Sequence, residues 1–360
     1  MKKRWMVFLS AVMMMVFASV PVSFAGTDQA GPASPQTYTV VVGAEKVAKG
    51  IDLEAFFPGT LIVHVGDKVH WVQNSNEIHT VTFLAGSPMP DLLVPAPLGS
   101  GSPVMINPKA GFPTMPPQGL YNGATYANSG IMGMAPGQAR EFNLTFTKTG
   151  TFDYICVVHG QMMSGKIIVM DASRKIPSPG EAAGIARDQM DKLWDQSAQV
   201  VRDANNSIKP AVKNPDGTFT HYVSMGYAEG QIDLMAFFPE HFVAHPGDTV
   251  VWSPSATDMA PHTVTFYNGS PDYDLIIVKP QPNGPPLLLL NPAVLTPSQL
   301  GQPLTRNGVY NSGLIDPTQP GPKSYTLKIG DISGFMEYDC ILHDANGMTG
   351  SIFVVSKHGD

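Results

Sequence analysis

The chain has 360 residues with a formal charge of −7, only 14% charged residues, 35 glycines and 33 prolines. So much turn chemistry and so little charge favour a loop-rich all-β protein over a helical one. The acidic balance argues against nucleic acid as a partner.

The first element is basic and then apolar: Lys2, Lys3 and Arg4 precede a run from Trp5 to about Val20, and small residues surround Ala25. This pattern predicts a secretory signal over residues 1–25, in preference to a retained membrane anchor. Its removal takes away three positive charges and no negative one, from −7 to −10. No later apolar run approaches the roughly 20 residues of a spanning helix, so no stable membrane insertion is expected after cleavage.

Next comes a short strand, Thr37 to Val42, followed by Ile51-Asp-Leu-Glu-Ala-Phe-Phe57 and, after the Gly66-Asp67 turn, a strand whose Val69 and Trp71 share one face. His79-Thr-Val-Thr-Phe83 alternates in the same way, with His, Val and Phe on one side. A long Pro- and Gly-rich segment, about 84 to 138, separates it from the alternating strand Arg140 to Phe146. Long loops of this kind tend to be functional or disordered. This one is expected to cap the metal end, where a partner would dock. Its Met89, Met105, Met115, Met132 and Met134 suggest either a Cu(I)-loading surface or, the preferred reading, apolar packing.

Gly150 to Cys156 then leads a strand into the loop Cys156-Val-Val-His159-Gly-Gln-Met162-Met163, and Gly165 to Met170 closes the unit. From Asp171 to Pro215 the chain reads as a linker. Ser178, Pro179 and Glu181 predict a helix start with a capping box. Ile185, Gln189, Leu193, Trp194, Val200 and Val201 give it an apolar stripe to about Asn205.

The rest of the chain repeats the first part. Ile232 to Trp252 matches Ile51 to Trp71 at an offset of 181, which grows to 183 at His262 and 184 at Cys340. Such slow drift marks one duplicated domain, and the period is too long for a solenoid. The expected fold is therefore two tandem Greek-key β-sandwiches, at 36–172 and 215–357, joined by a helical linker at 173–214.

Each copy holds a Cys, a His three residues later and a Met beyond, with a second His upstream. Thiolate, imidazole and thioether form a soft set that suits copper, and a His2Cys site with a weak axial Met is an electron-transfer geometry. Two cysteines in an exported chain first suggest a disulfide. Their equivalent places in two repeats, each inside its own Cys-x-x-His loop, argue against one.

The combination of Val-x-x-Gly-Asp-x-Val-x-Trp, His-Thr-Val-Thr-Phe, Gly-Thr-Phe-Asp-Tyr-x-Cys-x-x-His and Met-x-Gly resembles the cupredoxin family of plastocyanin and azurin type. The resemblance covers both halves. It implies a blue, type 1 copper in each sandwich, held by His79, Cys156, His159 and Met163 in the first and by His262, Cys340, His343 and Met348 in the second. It also implies one-electron exchange with a redox partner protein, such as a cytochrome or a copper oxidoreductase, in the periplasm or outside the cell. Met163 is preferred to Met162 because Met-Ser-Gly-Lys-Ile-Ile-Val aligns with Met-Thr-Gly-Ser-Ile-Phe-Val after Met348. The first loop is then one residue shorter, so unequal potentials are expected. His159 and His343 should lie near the surface as exit ports, and Thr80 and Thr263 should support the metal shell.

The rival readings are a two-domain copper oxidoreductase and a copper carrier. Nitrite reductases and small laccases resemble this architecture but place a His beside the Cys and use His-x-His pairs. Here Ile155 and Val157 flank one Cys and Asp339 and Ile341 the other, and no His-x-His occurs. His64, His70 and His245 read as strand-surface residues, and His221, His241 and His358 have no partner by spacing. An electron carrier, not an enzyme, is the expectation.

Overall fold

The computed structural model describes residues 34–133 and 140–356. The signal segment 1–25, Met134 and His358 lie outside the described residues.

Alternation along the strands decides the layers. Lys68–Gln73 buries Val69 and Trp71 and turns Lys68 and His70 outward, as the period of two requires. In the first half, Thr37–Lys46, Lys68–Gln73, Glu141–Phe146 and Leu120–Tyr121 form one layer. Thr60–His64, Gly160–Met170, Gly150–Cys156, Thr82–Phe83 and Ala127–Asn128 form the other. Between them Trp71 meets Tyr154 edge-on at 5.5 Å, and Phe83, Phe142 and Phe56 close the cluster. The second half repeats this packing, with Trp252 and Tyr338 also 5.5 Å apart. Gly165 and Gly350 are required beside these tyrosines, since a Cβ there would fall 2.3 and 2.5 Å from the ring.

The two sandwiches share a sheet. Ile51–Phe57 pairs antiparallel with Ile232–Phe238, joining both inner layers into one ten-stranded sheet. The register sets Asp52 opposite Asp233, Ile51 opposite Leu234 and Leu53 opposite Ile232. Asp233 is the repeat counterpart of Asp52, so an approximate two-fold axis passes between them. This explains why Ile51–Phe57 is buried along its whole length, as a strand covered on both faces must be. Its odd residues face apolar neighbours, while Asp52 and Glu54 point to the opposite face.

The long segments form ordered caps that meet each other. Hairpin Leu93–Pro95/Val104–Ile106 of the first half joins hairpin Ile276–Lys279/Leu287–Leu290 of the second through Met105 opposite its counterpart Leu289. The caps pair with each other across the same axis, burying Ile106, Ile131, Leu288 and Leu290. Their methionines divide. Met132 is core and bridges to His79, whereas Met89 and Met115 are exposed.

The helix runs Pro179–Asn206 with the predicted capping box, Ser178 accepting from the Glu181 N–H and Glu181 from the Ser178 N–H. Its packing face differs from the predicted stripe. Ala182, Ala186, Ser197, Val200 and Ala204 are the buried residues, while Ile185 is exposed. Small side chains let the helix lie close on the shared sheet, against strands of both halves, with Leu193 and Trp194 at the margin. No described helix is long and apolar enough to cross a membrane.

Candidate metal centres

Two groups of donors converge, one in each half: His79, Cys156 and His159, and His262, Cys340 and His343. In each group the ligand atoms all lie within 4.8 Å of one another. Cys156 Sγ is 3.5 Å from His159 Nδ1 and 4.0 Å from His79 Nδ1. Cys340 Sγ is 3.4 Å from His343 Nδ1 and 3.7 Å from His262 Nδ1. All four imidazoles therefore turn the same nitrogen to the sulfur.

The other nitrogen explains why. His79 Nε2 lies 2.9 Å from Ser75 Oγ, and His262 Nε2 lies 2.8 Å from Asp258 Oδ2. A carboxylate can only accept, so His262 donates from Nε2, which leaves Nδ1 as the nitrogen that faces the sulfur. His159 Nε2 likewise meets Glu54 Oε1 at 3.2 Å and Glu77 Oε1 at 3.7 Å. Glycine admits the strand imidazoles. At Gly43, φ +66°, a Cβ would sit 2.5 Å from His79 Nε2, and at Gly226, φ +64°, 2.7 Å from His262 Nε2. Both glycines mark a register shift in their strand, where the extra residue bends the backbone toward the site.

The sulfur is held by the backbone. Thr80 N–H donates to Cys156 Sγ at 3.3 Å, and Thr263 N–H to Cys340 Sγ at 3.3 Å. The hydroxyls order the loops: Val157 N–H donates to Thr80 Oγ1 at 2.8 Å and Ile341 N–H to Thr263 Oγ1 at 2.9 Å. Thr82 donates to Asn128 Oδ1, so the Thr80 hydroxyl must supply the proton between Thr80 and Thr82. Asn128 Nδ2 in turn donates to Ala110 O, and Asn311 Nδ2 to Ala293 O. The repeated Asn-Ser-Gly thus ties each cap to the strand bearing the upstream His.

Burial alone would push both thiols up. The charge and hydrogen bonds of His159, with those of His79, outweigh it and hold Cys156 well below the usual thiol range. His343 and His262 do the same for Cys340. Burial also lowers His262, yet its hydrogen bond to Asp258, followed by its contact with Cys340, raises it to about 10. Both cysteines are free and fully buried, so the disulfide reading has no support in the geometry.

Met163 and Met348 are fully buried, in the same core clusters as Cys156 and Cys340, whereas Met162 is 46% exposed. The loop histidines differ from their expected surface position. The His159 side chain is 12% exposed, and His343 is 5% exposed. The second loop, Cys340 to Met348, packs on the first half, where Ala345 O accepts from Asn76 Nδ2 at 3.1 Å. The remaining histidines have other partners: His64 Nε2 lies 2.7 Å from Arg174 O, His70 Nε2 3.1 Å from Glu141, His221 Nε2 3.1 Å from Asp248, and His241 Nδ1 3.0 Å from Ser351 Oγ. His245, half exposed, lies 3.7 Å from Asp248.

Residues 43–170 match the family described as copper binding proteins, plastocyanin/azurin family. The matched segment lies in the first half of the chain. Solved structures of amicyanin variants are also similar. An oxidized form is 22% identical, covering 37% of this chain and 81% of its own at a TM-score of 0.21. A Cu(I) form is 23% identical over 37% and 82%, with the same TM-score. Copper is the metal these sites fit, because a buried thiolate and two imidazole Nδ1 atoms are a soft, water-poor donor set.

Sequence reasoning missed Glu54, Ser75, Glu77 and Asp258. A signal existed for two of them, since Ser75 and Asp258 each stand four residues before the upstream His.

Proposed function

We propose that the chain is an exported blue copper protein with two mononuclear sites that exchanges single electrons with a redox partner protein. His79, Cys156, His159 and Met163 hold the first copper, and His262, Cys340, His343 and Met348 the second. The sandwiches span 36–172 and 215–357, with 173–214 as the linker. The single observation behind this reading is the duplicated sulfur, each copy lying within 4.0 Å of two Nδ1 atoms that hydrogen bonds from behind aim at it.

Copper bound there supplies reversible one-electron chemistry. The residues' task is to present the same donors to both oxidation states. Thr80 and Thr263 fix the sulfurs, Ser75 and Asp258 fix the strand imidazoles, and Glu54 and Glu77 fix His159. Full burial of both cysteines excludes water and competing thiol chemistry. The two sites differ in their charged surroundings, which supports unequal potentials more directly than loop length does.

The test is a reductive titration of the copper-loaded mature chain, with nitrite and phenols offered as substrates. Two electrons taken up per chain without turnover support a carrier. A third, non-blue copper with turnover would replace that reading by a two-domain oxidoreductase.

A further inference from the structure

Carboxylates crowd the seam where the two halves meet, and most of them have partners. Glu45 Oε2 accepts from Asn346 Nδ2 at 3.4 Å, and Glu54 and Glu77 meet His159 Nε2 at 3.2 and 3.7 Å. Asp52 and Asp233 differ. They are only 1% and 5% exposed, yet both oxygens of Asp52 and Oδ1 of Asp233 lack a hydrogen-bond partner among the described residues. No ion pair among the described residues includes either aspartate.

The sheet brings these two side chains together. Asp52 and Asp233 are direct register partners where Ile51–Phe57 pairs with Ile232–Phe238, so they leave the sheet on the same face. The Glu54 N–H donates to Gln231 O on one side of them and the Met235 N–H to Gly50 O on the other. The pair therefore stands at a hydrogen-bonded position, where opposed Cα atoms are about 5.5 Å apart. Ile51, Leu53, Ile232 and Leu234 fill the opposite face with apolar contacts, so that face offers the carboxylates nothing.

Like charges directly opposite on a sheet repel, and two carboxylates sharing a dry site do not both ionise unless a positive charge answers them. Burial first, and the charges of Glu77 and Glu54 next, push Asp52 well above the usual carboxylate range, and burial and Glu54 act in the same way on Asp233. A single shared proton would join two oxygens, whereas three are unanswered here.

We propose that Asp52 and Asp233 together bind one hard divalent cation on the axis between the two halves. Oxygen-only donors select ions of the calcium or manganese kind and leave copper to the sulfur sites. Because the pair is enclosed only when the halves close on each other, binding is coupled to folding. The site is separate from the Cys/His groups and does not depend on the copper reading.

The test refolds the metal-free mature chain from urea with Ca2+ alone or Mn2+ alone. The expected result is uptake of one ion per chain by native mass spectrometry, a bound-Mn2+ electron paramagnetic resonance spectrum, and a urea midpoint that climbs with each tenfold rise in free Ca2+. Asp52→Asn with Asp233→Asn should abolish all three responses. In chelator this double variant should be at least as stable as the parent, since a buried repulsion is gone. Asp52→Asn alone should weaken uptake severalfold. No uptake by the parent with a midpoint indifferent to either ion would overturn the proposal, as would a response that survives in the double variant. A midpoint raised only by acidification would assign the pair a shared proton in place of a cation. Copper loading keeps the two readings apart: unchanged thiolate-to-copper absorption in the double variant shows the sulfur sites intact, while its absence from the parent overturns the copper function and not the cation site.

Discussion

Gly43→Ala is the sharpest local perturbation this structure offers. The residue sits at φ +66°, where an L side chain costs about 1–2 kcal/mol. The new Cβ would also lie 2.5 Å from His79 Nε2 and 2.6 Å from Ser75 Oγ, closer than real Cβ contacts come. Relieving such overpacking costs roughly 1–3 kcal/mol more and must move the imidazole, since Gly43 is held between the paired residues Val42 and Ala44. The expected total is about 2–5 kcal/mol, together with loss of metal from the first pocket alone. Gly230→Ala is the control. It has nearly the same φ, +63°, with nothing within 4 Å, so it should show only the strain. The assays are urea unfolding of the metal-free chain and copper per chain by native mass spectrometry. If Gly43→Ala costs no more than Gly230→Ala and still binds two coppers, the proposed support of His79 is wrong.

Three further outcomes are expected. Asp258→Ala should weaken metal binding at the second pocket by about 10–100-fold, the usual effect of losing the group behind a ligating imidazole, and competition with a chelator measures it. Trp71→Ala should cost about 3–5 kcal/mol in chemical denaturation by emptying the aromatic core between the layers. Asp248 accepts from the Phe219 and His245 N–H groups at 2.8 Å, and these bonds hold its carboxyl below the usual range against burial. Its stabilisation is therefore present above the unfolded carboxyl pKa and lost as pH falls through the lower folded value. Asp248→Asn should accordingly be less stable than the parent at neutral pH, and the gap should close in acid, as followed by tryptophan fluorescence.

Much of this was legible in the residues. The Cys-x-x-His loops, the upstream His-Thr-Val-Thr, the buried Trp strand and the Ser178 capping box are local patterns, and local physics suffices to place them. The preference for Met163 over Met162 comes from repeat alignment, and Met163 is the buried one of the two. What stayed hidden depends on how the halves meet. Asp52 and Glu54 look like ordinary outward residues of an alternating strand until Ile51–Phe57 pairs with its own counterpart. The caps look like partner-docking loops until Met105 meets Leu289. The inward turn of His159 and His343 follows from the same symmetry, which no spacing within one repeat encodes. The helix stripe held at Leu193, Trp194, Val200 and Val201 but not at Ile185, and it left out Ala182, Ala186 and Ala204, whose small side chains permit close approach to a sheet.

The most direct test loads the mature chain with Cu(II) and records copper per chain and visible absorption for the parent, Cys156→Ser and Cys340→Ser. The account predicts two coppers with intense thiolate-to-copper absorption, half of it lost in each variant. Absence of that absorption from the parent, or its undiminished intensity in either variant, would contradict it.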